Sequence, residues 1–209
     1  EISDAVTRDP NGIGITSFAF LRNAKAVGLS SSCGLSWKPS EFAIKAEEYP
    51  LSRRLYLYAA GEAGAERLIK FANSSRAQST IAASQFMDQS VVSAPFAEQG
   101  TRATEWLDKG EAGPFEKSLV RSLLEEIKDA RRMSLTFRFA LASSDLDAKA
   151  RQDLNRLVDL LQTREFKGKT VMLMGFTDTI GTPERNAALA IRRATEVRDA
   201  ILAAAPSGS

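Results

Sequence analysis

The most constraining stretch of the chain is the apolar run Val171-Met172-Leu173-Met174-Gly175-Phe176, entered through Lys169-Thr170 and bounded by Gly168 on one side and Thr177-Asp178 on the other. Its length suits a buried strand better than a helix. A helix start follows at once. Gly181 ends the intervening turn, Thr182 is a good N-cap, and Pro183 fits the first helical position, where a missing N–H has no partner to lose. Leu189, Ala190, Ala194, Val197 and Ile201 then carry an apolar stripe to about Ala204. Upstream, residues 134–140 alternate, with Leu135, Phe137 and Phe139 on one face, which predicts a half-buried strand. Between the two strands, Leu154, Leu157, Val158 and Leu161 recur at helical spacing up to about Thr163, with Ser144 or Asp145 as the cap. The order is β-α-β-α, and two such units predict a two-layer α/β domain.

The rest of the chain reads differently. Residues 12–17, 25–29 and 55–59 have strand character, the last with alternating aromatics. Ala65, Leu68, Ile69 and Ala72 form a helical stripe, and a second short helix is expected over residues 76–84. Periodicity is lost over residues 88–113, which collect Ser, Pro, Gly, Glu and Gln, so the junction belongs there. Pro114 opens a further helix, with Phe115, Leu119, Leu123, Ile127 and Ala130 repeating to about Arg131. The expected organisation is a first module over residues 1–92, a linker with an amphipathic helix over residues 93–132, and a second module over residues 133–209.

Charge and composition remove several functions. With 28 Lys+Arg against 26 Asp+Glu the 209-residue chain carries a formal charge of only +2, far from the basic surface that neutralises phosphates in nucleic-acid binding. There is no histidine. Ser-His-Asp and Cys-His catalysis and the usual zinc sites are therefore absent, and no lysine has a serine three residues before it to serve as a histidine-free base. The single cysteine, Cys33, excludes an intrachain disulfide and reads as a small residue beside Gly34. A non-catalytic protein without cofactor or metal is expected. Trp37 and Trp106 read as packing residues. The chain begins at Glu1 with no signal-type leader and reads as a piece of a longer protein.

One loop gathers chemistry. Gly175-Phe176-Thr177-Asp178-Thr179-Ile180-Gly181 puts a hydroxyl and a carboxylate at a strand end, before a helix N-terminus, where ligand groups collect in α/β folds. On the helix, Asn186 and Arg193 are two turns apart and share a face, with the small Ala190 between them leaving room for a groove. This set suits a zwitterion: Arg193 can grip a carboxylate in bidentate fashion while Asp178 accepts from an ammonium group. The alternative is a carboxylate that caps the helix and an arginine on a solvated face, and spacing alone leaves both open.

The run Gly175-Phe-Thr-Asp178-Thr-Ile-Gly181, continued as Asn186-Ala-Ala-Leu189-Ala-Ile-Arg-Arg193-Ala194-Thr-Glu-Val197, resembles the signature of OmpA-like peptidoglycan-binding domains. The likeness covers about residues 133–205. It implies that Asp178 and Arg193 hold the diaminopimelate of the peptidoglycan stem peptide, with Thr177 and Asn186 supporting the site. Two departures stand out: Ala190 replaces a common Ser, and the chain stops before the family's last strand.

A second resemblance lies upstream. Asp9-Pro10-Asn-Gly12-Ile13-Gly14, followed by Tyr49-Pro50-Leu51-Ser52-Arg53-Arg54-Leu55-Tyr56, is similar to the C-terminal portion of PstS-like phosphate-binding periplasmic proteins, over about residues 5–92. It implies a fragment of a type II periplasmic-binding-protein fold, with phosphate or another small oxyanion as solute. The family's Ser-Gly-Thr anion turn does not occur here. At the hinge position Arg53-Arg54 reads as a structural salt bridge rather than a phosphate fork. Together the resemblances imply a solute-binding module tethered to the cell wall in the periplasm of a diderm bacterium, in the envelope beneath the outer membrane. The alternatives are a protein-interaction or signalling module of the cell envelope, or a cell-wall enzyme.

Overall fold

The computed structural model describes residues 1–30, 36–96, 113–139, 145–177 and 180–205. Cys33, Trp106, Ser144 and Asp178 lie outside the described residues. The chain divides into two compact units, Glu1–Ser134 and Leu135–Ser209, and its described elements are mostly helical with a few short strands, an α+β content.

In the first unit, α1 spans Ile2–Arg8, β1 Leu29–Ser30, β2 Ser36–Trp37 and α2 Glu41–Lys45. β1 and β2 pair antiparallel with Leu29 opposite Trp37. Ser40 caps α2, its hydroxyl accepting from the Ala43 N–H at 3.1 Å. The helix ends in a left-handed residue, Glu47 at φ 56°, with the Glu47 N–H donating to Ile44 O and the Glu48 N–H to Ala43 O. That is the Schellman closure, here without its usual glycine. α3 (Ala63–Ala72) and α4 (Ser75–Ala83) follow within a residue or so of their expected places.

β3 (Ser93–Pro95) lies in the stretch read from sequence as aperiodic. It pairs antiparallel with β4 (Arg131–Met133), Ser93 opposite Met133. Between them runs α5, Pro114–Ile127, with proline in its first turn. The helix expected to reach Arg131 stops earlier because residues 131–133 belong to this ladder, extended by Ser134 N–H to Val92 O at 2.8 Å. Ile127, Phe42, Ala43, Ala46 and Ala77 are buried. Around them Lys45, nearly buried, reaches Glu41, Asp88 and Ser90. Arg132 pairs with Glu48 and lies over the Phe42 ring.

The second unit packs α6 (Ala148–Leu161) and α7 (Pro183–Ala204) together. Ala150, Leu154, Leu157, Val158 and Val197 form its core, with Leu157 fully enclosed. α6 is capped by Asp147, whose carboxylate accepts from the Ala150 N–H at 2.7 Å, rather than by the expected Asp145. Asp153 is buried on the core-facing side of α6 and held by Lys149 and Arg156 of the same helix.

The expected strands need correction. Among the described residues, the second unit has no ladder beyond a single antiparallel bridge, Phe139 to Leu146, so the two-layer βαβα arrangement is not formed as such. Residues 12–17 and 55–59 likewise join no strand, and of residues 25–29 only Leu29 does. The side-chain alternation survives where the ladder does not: Val171, Leu173 and Gly175 are half-buried while Met172, Met174 and Phe176 are exposed. Alternation records which side of a segment faces the core, whereas a ladder also needs a second backbone at hydrogen-bonding distance.

Candidate functional site

The site is built on the first three turns of α7 and the segment that leads into them. Gly181, at φ 110°, turns the chain in a conformation suited to glycine. Thr182 then caps α7, its hydroxyl accepting from the Arg185 N–H at 3.4 Å. The Thr182 carbonyl accepts from the Asn186 N–H at 3.0 Å. Bonds from its own backbone N–H and from the Thr182 hydroxyl hold the Glu184 carboxyl below its ordinary pKa, as expected of an acid at a helix N-terminus. The Asn186 side chain is half-buried beside this turn, and a Cβ on Gly181 would lie 3.5 Å from Asn186 Oδ1.

Gly175 sets the other wall. A Cβ built on it would fall 1.9 Å from the Ala190 carbonyl oxygen, so the backbone of the incoming segment lies directly against the backbone of α7. The groove expected between Asn186 and Arg193 at Ala190 is therefore occupied at that point by Gly175. This contact delivers Phe176 to Arg193, one turn beyond Ala190. The Phe176 carbonyl accepts from Arg193 Nη1 at 3.0 Å. The Phe139 ring lies on the guanidinium, 5.2 Å from Cζ to the ring centroid.

Of the residues expected at the site, Arg193 and Asn186 are half-buried on α7 and Thr177 is half-buried just past the Phe176 carbonyl. Asp178 follows Thr177 in the chain, outside the described residues. Neither Phe139 nor Phe176 was read from sequence as a site residue. A ring two residues past Phe137 in an alternating strand carries no signal that it will meet an arginine more than fifty residues away.

A groove of about 400 Å³ nearby is lined by Val171, Leu173, Gly175, Ala190, Ala194 and Arg198. Of the expected ligand residues that are described, none of Thr177, Asn186 and Arg193 lines it. In the first unit, Arg54 forms a fork on Glu47, with Nε to Oε1 at 2.6 Å and Nη2 to Oε2 at 2.8 Å. That arginine does the structural work expected of the Arg53-Arg54 pair. No group of three or more His, Cys, Asp or Glu side chains could hold a metal among the described residues, and no described helix is long and apolar enough to cross a membrane.

Residues 138–207 match the model of the OmpA family, about a third of the chain. No curated protein and no solved structure matches it. The chain thus carries an OmpA-like C-terminal domain. Domains of that family are generally non-catalytic, peptidoglycan-binding modules of the cell envelope.

Proposed function

We propose, on the premise of the OmpA-like domain at residues 138–207, that this chain anchors itself to the cell wall by recognising the diaminopimelate of the peptidoglycan stem peptide. Arg193 grips the carboxylate of that zwitterion and Asp178 accepts from its ammonium group, with Thr177 and Asn186 completing the hydrogen bonds. The observation that carries the reading is the orientation of Arg193. Its guanidinium is held at the Phe176 carbonyl, two residues before Asp178, so the cation sits at the root of the loop that bears the acid. Binding of this kind needs no cofactor and no bond making.

The proposed setting is the periplasm of a diderm bacterium, with the protein associated with the cell wall. The first unit enters as the attached module. Its resemblance to PstS-like proteins makes phosphate or another small oxyanion the solute proposed for it, with Arg54 left to the Glu47 fork rather than to the anion.

Calorimetry with a diaminopimelate-containing stem peptide tests the anchoring role. Asp178→Ala and Arg193→Ala should each weaken binding about ten-fold or more, the scale of a charge-assisted hydrogen bond, with circular dichroism unchanged. Wild-type chain that takes up no peptide, or variants that bind like wild type, would overturn the assignment.

A further inference from the structure

We propose that Phe139 is a positioning residue for Arg193, holding the guanidinium ready for a ligand carboxylate; the inference rests on the reading of the site just given. The guanidinium carbon lies 5.2 Å from the ring centroid, inside the range of a cation–π contact. The ring is itself anchored. Phe139 bridges Leu146, the residue before the Asp147 cap of α6, and the Leu146 carbonyl accepts from Arg151 Nη1 at 2.5 Å. Phe139 is thereby tied to the first turn of α6, while Arg193 belongs to α7.

Contacts of different direction then act on one guanidinium. The ring lies against it, and the Phe176 carbonyl takes a hydrogen bond from Nη1. Together they remove more side-chain freedom than either alone. An arginine that is already ordered loses less entropy when it grips an anion. A ring against the guanidinium also favours approach in its plane, the geometry of a carboxylate fork. Phe139 therefore acts on affinity through Arg193, without touching the ligand, and its effect is confined to the ligand's carboxylate.

The test uses the full chain as wild type, Phe139→Leu, Phe139→Met and Phe139→Tyr. Calorimetry is run with the diaminopimelate stem peptide and with the same peptide amidated at the diaminopimelate side-chain carboxylate, and proton NMR reads the Arg193 δ-methylene shifts without ligand. In wild type and Phe139→Tyr the ring current should displace those protons upfield, and in Phe139→Leu and Phe139→Met the displacement should vanish. The two aliphatic variants should bind the free-carboxylate peptide about two- to five-fold more weakly, bind the amidated peptide like wild type, and be rescued by tyrosine. Unchanged binding after the ring-current displacement is lost overturns the proposal, as does an equal loss for both peptides, which would make Phe139 a packing residue. A wild-type chain that shows the displaced protons yet binds neither peptide overturns instead the reading of the site.

Discussion

At Gly175 the hypothetical Cβ contact of 1.9 Å is with the Ala190 carbonyl oxygen, a backbone atom of α7 that cannot swing aside as the tip of a side chain can. Gly175→Ala must push the segment off the helix, and a destabilisation of about 1–3 kcal/mol is expected from the overpacking. Urea denaturation measures it, and the Arg193 bond to the Phe176 carbonyl should be lost with it. Asp88 offers a pH test. Burial pushes its carboxyl up, but hydrogen bonds from the Ser90 hydroxyl and N–H and from Lys45 outweigh this, so the pKa lies below its ordinary value of 3.8. A carboxyl depressed in the folded state contributes stability that is present above 3.8 and lost as pH falls through the folded value. Urea midpoints should therefore drop more steeply on the acid side of pH 4 for wild type than for Asp88→Asn. Parallel acid limbs would show that the Lys45 cluster has no such role. Only part of this scale was legible beforehand. Arg193, Asn186 and Thr177 stood out as polar groups around a glycine-rich turn, whereas the use of Phe139 and of the Phe176 carbonyl depends on which atoms the fold brings to the guanidinium.

The helices were legible because their signals are local. A cap, a first-turn proline and a stripe at positions three and four apart all lie within a few residues of one another, and α3, α4, α6 and α7 follow from them. Asp147→Ala should remove about 1 kcal/mol from α6, given its 2.7 Å bond to the Ala150 N–H. Thr182→Ala should cost less, since its bond to Arg185 is long at 3.4 Å. Thermal melts of the two variants rank them, and an inverted order would mean that the α7 cap has a role outside its own helix. Leu157→Ala, which empties the largest fully buried side chain among the described residues, should cost about 2–5 kcal/mol. The strands were not legible in the same way. β3 and β4 are three residues each and separated by nearly forty positions, so no local pattern announces them. Pro95, lacking an N–H, further disguises β3 as loop.

On the scale of the whole molecule, several apolar segments of the first unit have no cover among the described residues. Ile13 and Ile15 are 86% and 88% exposed, and Leu55, Tyr56, Leu57 and Tyr58 are all exposed in succession. Contiguous apolar exposure of this kind marks surfaces that seek a partner. Concentration-dependent self-association is expected in sedimentation velocity, reduced by Leu57→Lys with Tyr58→Lys. A strictly monomeric wild type across the concentration series would remove the expectation. By itself the sequence determined which stretches carry a helical stripe, where the proline-opened helices α5 and α7 start, and which functions the lack of histidine excludes. These follow from residue type and near-neighbour spacing, which do not change as the chain folds. The tertiary structure alone decided that β3 pairs with β4, that Arg54 is spent on Glu47, that Gly175 closes the groove at Ala190, and that Arg193 lies on Phe139. Each of these is a contact between residues distant in the chain or a choice among several available partners, and its energy exists only once packing has brought the two sides within a few ångströms.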